Sequence, residues 1–255
     1  MSEPHVRAVE DHYDRTAARW EAIYESSTFH DYLIADRMRR ALALVDSTGA
    51  TGCAIDAGCG AGQMVAELAG RGFSAAGFDV SANMVTATQK LLARRALNAE
   101  VVQANGEALP HPTDSFDVVT ALGYIEYFPS PPKAVAELAR LTRPGGHLVI
   151  TSPNPIRLAY LADPIGTVRG LLHPEQGYRR HYYSARSLRR LLQGAGLQVL
   201  EIDGHGIGPW TIAGRPVLSD ARSIAIDRRL GKLPAPVRAL LGADLLALAR
   251  KAATG

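Results

Sequence analysis

The chain has 255 residues, of which 47% are hydrophobic and 21% charged, and its formal net charge is +3. This length is enough for one large domain with a substantial core, or for one domain with a small appendage. So mild a charge permits an anionic ligand but disfavours a nucleic-acid binder, which usually concentrates basic residues on one face.

Cysteine content and hydropathy bear on the compartment. Cys53 and Cys59 are too few for a disulfide framework and lack the Cys/His spacing of a zinc site, so a reducing cytoplasm is expected. The N-terminal stretch MSEPHVRAVEDHYD is polar and acidic, unlike a signal peptide. No apolar run approaches the roughly 18 residues that span a bilayer. These patterns predict a cytoplasmic protein.

The first predicted elements are helical, in two blocks over residues 5–46 that are separated around Ser26 to His30. From residue 52 onward, short apolar runs alternate with helical stretches. Strands are predicted at 53–56, 73–79, 99–104, 115–122 and 145–152, and helices at 62–71, 81–96 and 133–142. Strands that alternate with helices pair in parallel through right-handed crossovers, which predicts an open, doubly wound α/β sheet.

The pattern becomes less regular after residue 152. The stretch 153–183 contains four prolines and is long enough to be a lid or binding loop, with a passive surface insertion as the alternative. A helix at 184–196, a strand at 197–203 and a final strand at 243–251 that closes the sheet complete the prediction. We expect an N-terminal helical cover (1–48) and an α/β domain (49–255) whose 153–183 insert shapes a substrate pocket.

The segment AIDAGCGAGQM places a glycine-rich turn directly after a strand. A dinucleotide fingerprint has the spacing G-x-G-x-x-G, whereas Gly58, Gly60 and Gly62 have the spacing G-x-G-x-G. Gln63 therefore stands where the third glycine is needed, which disfavours a nicotinamide or flavin site. Asp56, just ahead of the glycines, would repel a phosphate and attract an ammonium or sulfonium group.

A second acid, Asp79, ends the next strand, 21 residues after Gly58. A carboxylate at that place is suited to accept hydrogen bonds from both hydroxyls of a ribose. A ligand that has a ribose and a positive centre but no phosphate is S-adenosylmethionine.

The motif DAGCGAG at 56–62, followed by GFDVS at 77–81, resembles the class I S-adenosylmethionine-dependent methyltransferases. The stretches 101–119 and 141–154 resemble later landmarks of that family and occur in the same order. The resemblance spans roughly residues 50–203. It implies a Rossmann-like, seven-stranded, mostly parallel sheet with an antiparallel last strand, S-adenosylmethionine as the methyl donor and S-adenosylhomocysteine as the product.

The resemblance also implies roles for individual residues. Asp56 would reach the methionine amino group, and Asp79 would bind the ribose hydroxyls. Asn105 stands where the family commonly has an aspartate for the adenine amino group, and its amide carbonyl can accept the same bond. The full set implied to bind the cofactor is Asp56, Ala57, Gly58, Gly60, Gly62, Asp79, Val80, Met84, Asn105, Gly106, Glu107, Leu122, Gly123, Tyr13 and Tyr24.

Residues 116–135 are similar to the ubiquinone-biosynthesis O-methyltransferases. Members of that group can carry a Glu-x-x-Glu-His cluster that binds a divalent ion, but this chain has Gly123, Glu126 and Tyr127 at those three positions. One carboxylate is too few for a hard cation that takes several oxygen ligands, so no metal is expected. Glu126 is then either a helix-end cap or a substrate contact.

The N-terminal stretch YDRTAARWEAIYE resembles magnesium-protoporphyrin O-methyltransferases, in which the leading helices fold over the cofactor. Tyr13, Trp20 and Tyr24 are candidates for that cover, with a place in the core as the alternative. Arg37 and Arg39 either neutralise a carboxylate of the cofactor or substrate, or are simply solvated.

Methyl transfer to an alcohol or phenol needs a group that takes the hydroxyl proton, and histidine is the usual base near neutral pH. The candidate bases are His205, in a glycine-rich loop, and His181, at the end of the insert. The alternative for each is a loop residue that only makes hydrogen bonds. Tyr124, at the tip of the fourth strand, is a candidate to orient the acceptor hydroxyl. His147 lies at the opposite edge of the sheet and is expected to be structural.

The apolar insert, together with Tyr182, Tyr183 and Trp210, favours a hydrophobic or aromatic small-molecule acceptor of a secondary-metabolite or quinone-like kind. Oxygen is the expected methylated atom. Methylation of nitrogen or carbon stays open, as does a non-catalytic partner subunit with the same fold, whereas Gln63 and Asp56 oppose an NAD-type oxidoreductase.

The partners expected from the sequence are few. Enzymes that methylate amino groups of DNA and RNA carry an Asn/Asp-Pro-Pro-aromatic motif after the fourth strand, but here Asn154-Pro155 follows the fifth. We expect no nucleic-acid partner and no stable membrane insertion. Weak contact of the insert with a membrane surface is an alternative, and a monomer and a homodimer are both compatible with the sequence.

Overall fold

The computed structural model describes residues 4–23, 28–107, 109–156, 158, 163–165, 180–208, 210–213 and 215–253. Two helices come first, α1 (Pro4–Ala22) and α2 (Phe29–Ser47). The central units are β1 (Cys53–Ala57), α3 (Gln63–Gly70), β2 (Ser74–Asp79), α4 (Ala82–Arg94), β3 (Ala99–Gln103), β4 (Phe116–Ala121), a 3-10 turn (Ile125–Tyr127), α5 (Pro131–Leu141) and β5 (Thr142–Pro153). The C-terminal part has α6 (Ala185–Gly194), β6 (Leu197–His205), β7 (Thr211–Ile212), β8 (Arg215–Pro216), α7 (Asp220–Leu230), α8 (Ala235–Leu241) and β9 (Asp244–Lys251).

Seven strands form one sheet in the order β3-β2-β1-β4-β5-β9-β6, and β7 pairs with β8 as a separate hairpin. The strands β1 to β5 pair in parallel, and β9 is antiparallel to both of its neighbours. This confirms the predicted Rossmann-like sheet with an antiparallel last strand. That strand lies inside the sheet, between β5 and β6, because its run Leu245–Ala249 is apolar throughout and is buried on both faces.

The sheet is covered on both faces, as a doubly wound fold requires. On one face, Leu138 and Leu188 from α5 and α6 pack into a cluster with the strands. On the other, Val45 from α2, Leu68 from α3 and Leu91 from α4 form a second cluster. The helix α2 thus contributes to the core of the sheet, and the division of the chain at residue 48 stays a prediction.

Helix ends follow local sequence signals. Ser81 caps α4, as predicted, and its hydroxyl accepts a hydrogen bond of 3.1 Å from the Met84 N–H. The helix α5 begins at Pro131, two residues earlier than predicted, because a proline fits the first turn of a helix, where no N–H is needed. The helices α7 and α8 lie where no element was predicted. No helix within the described ranges is both long and apolar enough to cross a membrane.

The fold leaves a crevice where β1 and β4 lie side by side and the chain winds away in opposite directions, which is where open α/β sheets bind ligands. The carboxyl ends of the parallel strands meet at this edge. Because β9 runs the other way, its first residue lies at the same edge, and Asp244 pairs with Pro153 on one side and His205 on the other.

Candidate active site

The glycine turn after β1 forms the floor of the crevice. Gly58 has a φ of +66°, and a Cβ there would lie 2.8 Å from Cδ2 of Tyr124. At Gly62 a Cβ would lie 2.5 Å from Cγ2 of Thr88, so only glycine fits in that left-handed conformation. A Cβ at Gly60 would meet nothing within 4 Å, which means that this part of the turn faces open space. A ligand can therefore approach the backbone closely at Gly60.

Asp79 ties the turn to the end of β2. One carboxylate oxygen accepts a hydrogen bond of 2.9 Å from the Gly60 N–H, and the other accepts one of 3.0 Å from the Ser81 N–H. Burial raises the pKa of this carboxyl group. Each carboxylate oxygen has more than one lone pair, so Asp79 can accept further hydrogen bonds from a ligand.

Asp56 is buried at the end of β1, with 4% of its surface exposed. The Thr120 hydroxyl donates a hydrogen bond of 2.6 Å to its carboxylate. Burial, and secondarily the charge of Asp79, raise the pKa of Asp56 to about 7, while Thr120 and Arg37 act in the opposite direction. A cationic group beside Asp56 would favour its ionised form.

These acids line a cavity of about 480 Å³ that runs from the glycine turn to the start of β9. The residues predicted to bind the cofactor that line it are Asp56, Gly58, Gly60, Asp79, Val80, Met84, Asn105, Gly106, Leu122, Gly123 and Tyr13. The structure does not place Ala57, Gly62 or Glu107 on the cavity wall, and Tyr24 lies outside the described residues. The predicted residues thus meet at one site, although their contacts with a cofactor stay a prediction.

Tyr124 is buried against the floor of the cavity. Its hydroxyl donates a hydrogen bond of 3.3 Å to the Gly106 carbonyl, and its ring makes edge contacts with Phe78 and Phe128. Burial raises the pKa of the Tyr124 hydroxyl well above its ordinary value. Its position therefore favours support for the loop at 105–107, and its predicted role with an acceptor hydroxyl stays untested.

The helix α1 covers the cavity from above. The Ser81 hydroxyl donates a hydrogen bond to the Asp14 carboxylate, and the Asn83 side-chain amide donates one of 3.2 Å to the Asp14 carbonyl, so α1 is fastened to the start of α4. Tyr13 and Trp20 both line the cavity, and their ring centroids are 6.1 Å apart. Residues of α1 thus line the cavity, and a cover formed by residues 1–48 stays a prediction.

The two histidines predicted as bases do not line the cavity. His205 is 2% exposed, neither of its ring nitrogens has a hydrogen-bond partner among the described residues, and burial lowers its pKa. His181 is half-buried, and its backbone N–H donates a hydrogen bond of 2.9 Å to the Glu126 carbonyl. Both roles stay predictions. His147, at the opposite edge, is the cross-strand neighbour of Arg250, and its structural role stays a prediction.

The rim of the cavity is more polar than the sequence suggested. Arg180 donates a hydrogen bond of 3.2 Å to the buried carboxylate of Glu126, and its guanidinium lies 5.2 Å from the ring centroid of Tyr127. Arg37 reaches the end of β4, since a Cβ at Gly123 would lie 2.9 Å from one of its guanidinium nitrogens. The Glu126 side chain pairs with Arg180, and its two predicted roles, a helix-end cap and a substrate contact, both stay predictions.

Several cavity residues had no signal as site residues in the sequence. Among the polar ones are His30, Arg180 and Asp244. The carboxylate of Asp244 is placed there by the direction of β9, which strand patterns alone do not reveal. By contrast, Arg39 is 69% exposed and pairs with Asp36, as expected for a solvated arginine. No group of three or more His, Cys, Asp or Glu side chains among the described residues is arranged to hold a metal ion.

Comparisons with known proteins agree with this geometry. A family described as a methyltransferase domain matches residues 24–202. A ubiquinone biosynthesis O-methyltransferase from Thiobacillus denitrificans is 30% identical over 161 residues, 62% of this chain and 69% of that protein. A nocamycin O-methyltransferase from Saccharothrix syringae is 40% identical over 121 residues, 46% of this chain and 43% of that protein.

Solved structures have the same fold. The magnesium protoporphyrin IX methyltransferase from Synechocystis, solved with bound S-adenosylhomocysteine, superposes with a TM-score of 0.68 at 16% identity. The match covers 97% of this chain and all (100%) of that one. At this identity the comparison supports the architecture alone.

Proposed function

We propose that this chain methylates an oxygen of an aromatic or quinone-like acceptor. The premise is that the chain belongs to the methyltransferase domain family and is an S-adenosylmethionine-dependent methyltransferase that acts on a small molecule. The observation that carries the cofactor part is the pair Asp56 and Asp79 on the cavity wall, and the aromatic side chains on the same wall carry the acceptor part.

The chemistry of the cavity fits a cofactor that is cationic and carries a ribose. We propose that Asp79 accepts hydrogen bonds from the ribose hydroxyls, since its carboxylate has lone pairs left beyond the Gly60 and Ser81 N–H groups. Asp56 would hold the amino group, and Arg37, which faces the end of β4, would hold the carboxylate of the methionine part. Asn105, on the cavity wall, would accept a hydrogen bond from the adenine amino group.

When bound, S-adenosylmethionine supplies a methyl group on a positively charged sulfur. The task of the protein is to align an acceptor with that methyl group and to keep water out. The helix α1 serves the second purpose, because it is fastened to α4 through Asp14 and brings Tyr13 and Trp20 over the cavity.

An oxygen acceptor is favoured by the relatives. Both the ubiquinone biosynthesis enzyme and the nocamycin enzyme are named as O-methyltransferases. The aromatic side chains of Tyr127, Phe128 and Tyr182 on the cavity wall would stack against a planar acceptor. We propose that the protein acts in the cytoplasm on a free small molecule.

Incubation with S-adenosylmethionine that carries a deuterated methyl group tests this proposal. Catechol, hydroquinone and 4-hydroxybenzoate serve as acceptors, and mass spectrometry with NMR locates the labelled methyl group. A methoxy product is expected. Labelled nitrogen or carbon in the products of an amine- and indole-containing panel, with no methoxy product, would contradict the proposal. Cofactor binding without turnover of any acceptor would favour a non-catalytic partner subunit.

A further inference from the structure

The antiparallel strand β9 delivers a carboxylate to the active edge of the sheet. Asp244 is the first residue of β9 and is half-buried on the cavity wall. It follows Ala243 in the chain and pairs across the sheet with Pro153, and both of these apolar residues line the cavity as well. The carboxylate is therefore accessible to a molecule in the cavity.

Asp244 differs from the other acids of the site in having no partner. Asp56 accepts a hydrogen bond from Thr120, Asp79 accepts two from backbone N–H groups, and Glu126 pairs with Arg180. The side chain of Asp244 makes no hydrogen bond or ion pair with any residue in the described part of the chain. A carboxylate without a partner in a cavity is suited to bind a donor group of the ligand.

The charged groups around Asp244 come from three elements. His30 and Arg37 lie on α2, Glu126 lies on the 3-10 turn, and His205 is the cross-strand neighbour on β6. Burial lowers the pKa of His205 and of His30, and the nearby negative charge of Asp244 acts to raise the pKa of each. His205 is buried and does not line the cavity, whereas Asp244 does.

We propose that Asp244 is the acceptor-side carboxylate of this methyltransferase: it accepts a hydrogen bond from the hydroxyl group that is methylated and takes its proton. The inference rests on the proposed function and narrows its substrate class to molecules whose methylated oxygen carries a hydrogen. As the lone pair of the acceptor oxygen forms the bond to the methyl carbon, the carbon–sulfur electron pair stays on sulfur, and the hydroxyl proton passes to Asp244.

The test uses Asp244→Asn, which keeps the shape of the side chain but removes its basicity. Titration calorimetry first measures S-adenosylmethionine binding, then catechol binding to the complex with S-adenosylhomocysteine. We expect cofactor affinity within about threefold of wild type and catechol affinity reduced by about tenfold, since Asp244 lies on the acceptor side. With catechol as substrate, kcat near neutral pH should fall by about 100-fold, which is typical of the loss of a general base.

The pH profile separates a proton acceptor from a merely structural residue. The rate of Asp244→Asn should rise by about tenfold per pH unit toward the phenol pKa of about 10, because the fraction of acceptor that is already ionised then sets the rate. Asp244→Glu should restore part of kcat. The matched control is Asp114→Asn. Asp114 lies before β4, and its carboxylate is 41% exposed and pairs at 2.7 Å with Lys251, the last residue of β9.

The outcomes distinguish this inference from the proposed function. A kcat for Asp244→Asn within about threefold of wild type, a loss that is independent of pH, or an equal loss in Asp114→Asn would overturn the role of Asp244 while methyl transfer still stands. If the wild-type protein binds S-adenosylmethionine but none of catechol, hydroquinone and 4-hydroxybenzoate, the hydroxyl-bearing acceptor is wrong. If it does not bind S-adenosylmethionine, the proposed function itself fails.

Discussion

Replacing Asp56 with asparagine should stabilise the ligand-free protein, and more so as the pH rises. The carboxyl group is buried and its pKa is raised from 3.8 to about 7. Asparagine has nearly the same shape, and its amide oxygen can still accept the hydrogen bond from the Thr120 hydroxyl. The substitution therefore removes the ionisation and little else.

The sign and size of the effect follow from the two pKa values. Between about pH 4 and pH 7 the unfolded chain has released the proton of Asp56 and the folded chain still holds it, so the stability of the wild-type protein falls as the pH rises through that window. A shift of about three units corresponds to about 4 kcal/mol in total, of which about 2 kcal/mol is lost between about pH 5.5 and pH 8.

Urea unfolding of both proteins at these two pH values measures this difference. The free energy of unfolding of Asp56→Asn minus that of wild type should increase by about 2 kcal/mol from the lower to the higher pH. Asp46→Asn is the control, because its carboxylate is 55% exposed and should give no such increase. A difference that stays constant, or that becomes less favourable to Asp56→Asn at the higher pH, would refute the reasoning.

Other substitutions test the supports of the site. In urea unfolding, Gly62→Ala should destabilise the protein by about 2 kcal/mol more than Gly72→Ala. Both glycines have a positive φ, but only a Cβ at Gly62 meets Thr88. Equal losses of unfolding free energy in the two variants would contradict this contact. Asp14→Ala removes the hydrogen bonds that the Asp14 carboxylate accepts at the start of α4. It should therefore speed amide hydrogen exchange in α1 and raise the off-rate of S-adenosylmethionine by about tenfold. Unchanged exchange would show that these hydrogen bonds do not hold α1 in place. Asp36→Ala removes the 2.6 Å partner of Arg40 and leaves it only Asp203 at 3.7 Å. It should lower the free energy of unfolding in urea by about 3 kcal/mol, and a loss below about 1 kcal/mol would contradict that estimate.

The meeting of Asp56 and Asp79 at one cavity could be predicted from the sequence because it depends on local order along the chain. Asp56 and Asp79 each end a strand, and consecutive strands of a doubly wound sheet lie side by side with their carboxyl ends at one edge. The glycines between them are spaced as in a turn whose backbone a ligand can approach closely. The meeting of these residues in one cavity therefore follows from the strand pattern alone.

The positions of Asp244 and His205 could not be predicted in the same way. The sequence correctly placed a strand at the C-terminus, but not between β5 and β6, so it gave no reason to suspect that Asp244 faces the cavity. His205 was expected in an open loop, whereas β6 extends through it and buries its ring. Which side chains face a cavity depends on strand register and on packing between distant segments, neither of which periodicity reports.

Titration calorimetry with S-adenosylmethionine, S-adenosylhomocysteine and NAD tests the central claim most directly, namely that the glycine turn and its two acids form a cofactor site for a sulfonium ligand. Wild-type protein should bind the first two ligands at one site per chain and should not bind NAD. Asp79→Ala should remove that binding, while Asp46→Ala, on an exposed side chain, should keep it. Preference for NAD, or full affinity for S-adenosylmethionine in folded Asp79→Ala, would contradict the account.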